Sequence, residues 1–243
     1  MGELVFIGLG LHDEKGITLR GLEEARAAEV AFAEFYTSAL LGASLDTLEG
    51  LIGKPIRRLT REEVEGGKAV LESAKDHRVA FLVAGDPMVA TTHVDLRLRA
   101  AAAGIPTRVI HGVSILGAAA GSVGLQAYKF GRTTTVPFPA PGLRVTSPLD
   151  PIVENQRAGL HTLVLLDLRE DGTFLHPKDA LWSLLAMAES TGVSEFGPRT
   201  VLCVLSRVGS PDARVETGVI VELLKRDLGP PLHCFIIPGR LHF

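Results

Sequence analysis

Residues 78–93, "RVAFLVAGDPMVATTH", set an apolar run directly against Gly85-Asp86-Pro87 and then against two threonines and a histidine. A run of this length, apolar without alternation, reads as a strand buried on both faces of a parallel sheet. In an open α/β sheet, ligands collect outside the carboxyl ends of the strands, and Asp86 stands at that place. Two readings of Asp86 remain open at this level. It either orders a turn, which Pro87 favours by fixing φ, or it holds a ligand. Thr91 or Thr92 fits the N-cap of a following helix through "VDLRLRA".

Outward from this stretch, strand-like and helical patterns alternate. "LVFIGLG" precedes "ITLRGLEEARAAE", "VAFAEF" precedes "TSALLGASLDTLEGLIG", "EEVEGGKAVLESAKD" precedes the opening strand, and "THVDLRLRAAAAG" leads to "PTRVIHG". Such spacing predicts parallel βαβ units and a mostly parallel sheet over residues 1–112. Near residue 111 the texture changes to "GVSILGAAAGSVGLQAYKFG", read as a Gly/Ala-rich helix at a domain seam. Five prolines in residues 137–151 then argue against regular structure there and suggest a stiff surface loop. Beyond it "HTLVLLDL", "TVLCVLSRVG", "ARVETG" and "HCFIIPG" read as strands, with "KDALWSLLAMAE" and "VIVELLKRD" as helices. Residues 113–243 are therefore expected to form a second α/β domain around a mixed sheet.

Composition narrows the function classes. The chain has 243 residues, 46% hydrophobic and 22% charged, which suits two modest domains. It offers no run of about 18 apolar residues, so a membrane protein is not expected. The apolar N-terminus lacks a basic leader and reads as a first strand, which also disfavours its weak Met-Gly myristoylation likeness. A net charge of −3 and 5% aromatics disfavour nucleic-acid binding. Cys203 and Cys234 lie in apolar runs and read as buried free thiols of a reducing, cytoplasmic compartment.

Several motifs bear on chemistry. Gly8 and Gly10 begin a dinucleotide-type fingerprint, but Asp13 occupies the third glycine position, so a nicotinamide site is disfavoured. Ser114 either caps the Gly/Ala helix or offers a donor to a ligand at its start. His93 and His111 are isolated histidines, and without HExxH or clustered carboxylates no metal is assigned. His233, beside Pro230-Pro231, reads by default as a strand-edge histidine. Nucleophile-elbow and Walker A sequences are both absent.

Taken together, "FIGLGLHDEKGITLRGLE", "AEFYTS", "GDPMVATTH", "RVIHGVSI", "GLQAYKFG", "GLHTLVLLDL" and "PPLHCFIIPGRLH" resemble the diphthine synthases, a family within the tetrapyrrole-methylase-like (class III) S-adenosylmethionine methyltransferases. The resemblance implies a two-domain α/β fold, divided as 1–112 and 113–243, with S-adenosylmethionine in the cleft between the domains and a homodimer. It implies cofactor contacts from Leu11, Asp86, Val89, Ser114 and Ile115, and from Leu166, Val208 and His233, several of them through backbone groups. The implied reaction is methylation of the amine on the aminocarboxypropyl-modified histidine of translation elongation factor 2, yielding S-adenosylhomocysteine and diphthine. A tetrapyrrole-precursor methylase and a non-catalytic nucleotide-binding module are the alternatives. The Pro-rich stretch at 137–151 is the expected protein-facing rim, no catalytic base is assigned, and the ending "PGRLHF" is expected to be shorter than that of similar proteins.

Overall fold

A computed structural model describes residues 2–139, 145–169 and 171–241. Contacts divide the chain into two compact units, the first running to Ile115 and the second holding most of the remainder from Leu116.

In the first unit, β1 (Glu3–Gly8), β2 (Val30–Glu34), β3 (Ile56–Leu59), β4 (Arg78–Val83) and β5 (Thr107–Ile110) form an all-parallel sheet in the order β3-β2-β4-β1-β5. Its helices are α1 (Leu19–Ala27), α2 (Leu45–Ile52), α3 (Arg61–Gly66), α4 (Lys68–Asp76) and α5 (His93–Ala102). Because successive side chains of a strand point to opposite faces, β1 and β4 feed two cores. On one face Val5, Ile7, Ala80 and Leu82 meet Ala25 of α1 and Leu48 and Ile52 of α2. On the other, Leu4, Phe6, Val79, Phe81 and Val83 meet Val64 of α3, Val70 and Ala74 of α4, and Leu96 and Ala100 of α5. The sheet is thus covered on both sides, as parallel sheets require.

Local chemistry sets the helix starts. The Thr18 and Ser44 side chains accept from the N–H groups of Gly21 and Thr47, and Thr60 forms a reciprocal capping box with Glu63. The expected helix from residue 37 begins only at Leu45, because Ser44 caps there. The stretch 62–76 is two helices, since Gly67, at φ 67°, ends α3 and opens α4.

The second unit holds α6 (Ile115–Ser122, whose first residue counts with the first unit), β6 (Thr134–Val136), α7 (Leu149–Arg157), β7 (Thr162–Leu166), α8 (Pro177–Thr191), β8 (Val201–Ser206), β9 (Arg214–Val219), α9 (Ile220–Leu223) and β10 (His233–Ile237). Its sheet has the order β6-β7-β10-β8-β9, parallel between β6 and β7 and antiparallel elsewhere. Val136, Val164, Leu202, Val204, Phe235 and Ile237 pack under α7, α8 and α9. The mixed character matches the sequence reading.

Two local expectations are corrected. Proline does not exclude regular structure across all of 137–151. Pro148 is the N-cap of α7 and Pro151 lies in its first turn, where no intrahelical N–H is needed. Residues 140–144 of the same stretch lie outside the described residues. The helix expected in "VIVELLKRD" covers only Ile220–Leu223, because Val219 still pairs with Val201 in β9 and the chain past Leu223 tightens into i→i+3 turns, Lys225 N–H to the Glu222 carbonyl at 3.0 Å and Arg226 N–H to the Leu223 carbonyl at 3.1 Å.

Candidate functional site

The connection leaving β1 runs over β4 to reach β2, and the connection leaving β4 runs over β1 to reach β5. Neighbouring strands whose connections depart in opposite directions leave a crevice at their carboxyl ends. Gly10 and Gly85 pair across it through both backbone bonds, Gly10 N–H to the Gly85 carbonyl at 3.2 Å and the reverse at 2.6 Å. Both have positive φ, 81° and 75°, which only glycine adopts freely. Gly8 and Gly112 close the floor: a Cβ on Gly8 would lie 2.5 Å from the Gly112 nitrogen, and one on Gly112 would lie 2.3 Å from the Gly85 carbonyl oxygen. The three strand ends therefore converge because these positions carry no side chain.

Asp86 fastens the convergence. Its Oδ1 accepts from Met88 N–H at 2.9 Å; its Oδ2 accepts from Gly112 N–H at 3.3 Å and faces His111 Nδ1 at 2.8 Å. The carboxylate side chain is 5% exposed while the His111 ring is 73% exposed. The turn-forming reading of Asp86 is thus realised, and its reach extends past the turn to the end of β5. His111 is not isolated, although the 25 residues between the pair hide the contact in the sequence.

The remaining first-unit residues of the expected set cluster here in the chain. Leu11 follows the Gly10 bridge and is half-buried, Val89 donates its N–H to the Asp86 carbonyl at 3.3 Å, and Ser114 and Ile115 follow the His111-Gly112 corner. Asp13 caps a short 3₁₀ turn, Glu14–Gly16, and α1 begins only after Thr18. No helix N-terminus follows the glycine turn directly, so the geometry that cradles a pyrophosphate is missing. Beside the glycine turn the crevice instead offers backbone groups and the half-buried apolar side chains of Leu11, Val89 and Ile115.

His93 is also partnered. Its Nδ1 lies 3.0 Å from the Pro87 carbonyl and its ring packs edge-on to Phe81, with centroids 5.1 Å apart. Burial holds its pKa below the usual histidine value, with the nearby Glu34 carboxylate opposing that shift.

In the second unit, β7 ends at Leu166, the antiparallel β10 starts at His233, and His233 pairs with Ser206 at the end of β8. Arg207 N–H donates to the Leu232 carbonyl at 2.8 Å, placing Val208 beside the same edge. The structure thus brings Leu166, Val208 and His233 to one end of the mixed sheet, where its three inner strands meet. His233 Nε2 lies 3.1 Å from the carbonyls of both Leu228 and Gly229, and burial lowers its pKa. Sequence reasoning missed Asp167 at this edge, whose carboxylate accepts from the N–H groups of Leu168 at 3.0 Å and Phe138 at 3.3 Å. Among the described residues no cluster of three or more His, Cys, Asp or Glu could hold a metal ion, and no helix is long and apolar enough to cross a membrane.

Comparison with known proteins follows the same lines. The family model of tetrapyrrole (corrin/porphyrin) methylases matches residues 3–224. A diphthine synthase of Methanocella arvoryzae is 46% identical over 243 residues, covering 99% of this chain and 94% of the relative. The chain belongs to the diphthine synthase family of tetrapyrrole methylases. A diphthine synthase of Methanosarcina mazei is 45% identical over 245 residues, covering 99% of this chain and 92% of the relative. A crystal structure of diphthine synthase superposes with a TM-score of 0.86 at 36% identity, over 97% of this chain and 89% of that one. An Entamoeba histolytica structure superposes with a TM-score of 0.89 at 35% identity, over 98% and 93%. Family membership makes the chain a methyltransferase, and the glycine crevice belongs to a diphthine synthase fold.

Proposed function

We propose that the chain transfers methyl groups from S-adenosylmethionine to the amine of the aminocarboxypropyl-modified histidine of translation elongation factor 2, forming diphthine. The observation that carries this reading is the 46% identity to a diphthine synthase over nearly the full chain. The phosphate-free character of the glycine crevice supports the cofactor.

The first-unit contacts in this proposal are Leu11, Asp86, Val89, Ser114 and Ile115. Asp86 acts by shaping the loop, because both its oxygens are already engaged by the protein. Leu166, Val208 and His233 are the proposed contacts from the second unit to the adenosine. The bound cofactor supplies an activated methyl on a sulfonium. The chain's task is to hold the attacking amine in line with that methyl, and positioning of this kind accounts for a large part of the rate gain in such reactions. A cytoplasmic homodimer acting on a protein substrate, without nucleic acid, completes the proposal.

Mass spectrometry of elongation factor 2 carrying the unmethylated precursor tests it. Successive methyl additions that require S-adenosylmethionine support the reading. Bound cofactor with an unchanged substrate mass would point to a non-catalytic module, and methylation of a tetrapyrrole precursor instead would reassign the substrate.

A further inference from the structure

We propose that His111 is the proton acceptor of the methyl transfer and that Asp86 positions it. The inference rests on the amine-methylating function proposed above and assigns the base which that chemistry needs.

Strands β4 and β5 are not neighbours, since β1 lies between them. The loop after β4 nevertheless reaches the residue after β5, because Gly8 and Gly112 leave the end of β1 without side chains. Asp86 therefore meets His111 at 2.8 Å across the strand that separates them. The Asp86 carboxylate takes two backbone N–H groups besides, and a carboxylate engaged by donors acts as an acceptor. The hydrogen of a neutral His111 ring thus belongs on Nδ1, and its lone pair on Nε2. That ring is 73% exposed at the carboxyl edge where ligands bind, whereas its orienting partner is buried. A buried carboxylate that fixes the tautomer of an accessible imidazole is the arrangement of a general base.

Other histidines at the sheet edges are committed differently. His93 is 1% exposed and bound to the Pro87 carbonyl; His233 points Nε2 at two carbonyls. His12 lies with its ring against Gly42 and, among the described residues, has no ion pair with a carboxylate such as Asp86 gives His111.

The step balances. The substrate ammonium gives one proton to His111 Nε2, and the freed nitrogen pair forms the new C–N bond. The C–S bond breaks with its electron pair going to sulfur, leaving the neutral thioether S-adenosylhomocysteine. The nitrogen regains its positive charge with one hydrogen replaced by methyl, and the exposed imidazolium returns its proton to water. Each further methyl repeats the step until the nitrogen bears no hydrogen.

The test combines three measurements on the full chain: methyl transfer to the precursor protein, calorimetric binding of S-adenosylhomocysteine, and ¹⁵N NMR of the imidazoles. His111→Ala and His111→Gln are expected to lose about 100-fold or more in transfer rate, with S-adenosylhomocysteine affinity kept within about twofold and partial recovery by added imidazole for His111→Ala. The wild-type His111 ring is expected as the Nδ1–H tautomer when neutral, and Asp86→Asn should disturb that tautomer and slow transfer. A wild-type rate in both His111 variants, or an Nε2–H tautomer in the wild type, would overturn the assignment. A wild-type protein that binds S-adenosylhomocysteine but leaves the precursor unmethylated would sink the substrate reading instead, and the tautomer measurement would still decide the Asp86–His111 arrangement.

Discussion

Glu34, at the end of β2, and His93, in the first turn of α5, face each other with both side chains fully buried and 3.5 Å between Oε1 and Nε2. Glu34 also accepts from the N–H groups of Tyr36 and Thr37 at 3.0 and 3.1 Å and from the Thr37 hydroxyl. With His93 on the Pro87 carbonyl, this pair joins the "AEFYT" corner to the "GDP" corner beside the crevice.

Truncating His93 would empty a fully buried site beside Phe81 and leave the Pro87 carbonyl without its partner at 3.0 Å, a loss of about 2–4 kcal/mol. His93→Ala is therefore expected to lower the unfolding free energy by that order in urea titrations. Glu34→Gln combined with His93→Gln should recover part of it.

Stability should also fall on mild acidification. His93 and His233 both have folded-state pKa values below the ordinary 6.5, with burial the leading cause. The unfolded chain then binds more protons than the folded one as pH drops below that value. Their contribution is fully present above about pH 6.5 and declines as pH falls toward the depressed values. Urea midpoints at pH 8.0 and at pH 5.5, compared between wild type and the His93→Gln/Glu34→Gln protein, check the direction, and a wild-type midpoint that rose on acidification would contradict it.

Gly112→Ala and Gly50→Ala should separate a packed glycine from a merely tolerated one. At Gly112 the new methyl meets backbone atoms of Gly85 and Gly8, which cannot swing aside, so a loss of about 1–3 kcal/mol is expected, together with weakened cofactor binding. Gly50 lies inside α2, where an added methyl would have nothing within 4 Å. There alanine should stabilise by about 0.5–1 kcal/mol and leave binding unchanged. Thermal melts and calorimetry on both variants read the contrast.

Lys54 closes the end of α1. Its ammonium donates to the carbonyls of Ala25 at 3.0 Å, Arg26 at 2.7 Å and Ala28, satisfying acceptors that a helix C-terminus leaves unpaired. Burial lowers its pKa. Lys54→Met, which keeps the stem and removes the charge, should cost about 1 kcal/mol in urea.

Arg108 bridges Glu3 and Glu24, with Nη2 2.7 Å from Glu24, and holds the Glu24 pKa below its usual value. These groups are partly solvated, so Arg108→Met should cost only about 1 kcal/mol. That cost should shrink in 1 M salt; a salt-independent loss would indicate packing instead of charge.

The alternation of apolar runs with amphipathic segments made the first sheet legible, because "VFIG" and "VAFLV" are apolar on both faces and the helices carry i, i+4 pairs such as Leu96 and Ala100. Asp86 was legible as a residue at a strand end. Its partner was not, since the contact with His111 depends on strand order and on the missing side chains of Gly8 and Gly112, neither of which periodicity encodes. The Glu34–His93 pair was hidden for the same reason: each residue sits in an unremarkable local pattern, and only the β2–β4 pairing brings them together. Helix α7 is obscured because five prolines in 137–151 look like breakers, although in a first turn proline costs the helix nothing.

The Asp86–His111 fastening spans the last strand of the first unit and a loop formed before it, so a polypeptide ending short of Gly112 would possess β1 and β4 yet lack a finished crevice. The crevice is therefore finished only when β5, the outermost strand on that side, is in place, and the Asp86–His111 contact resists its detachment.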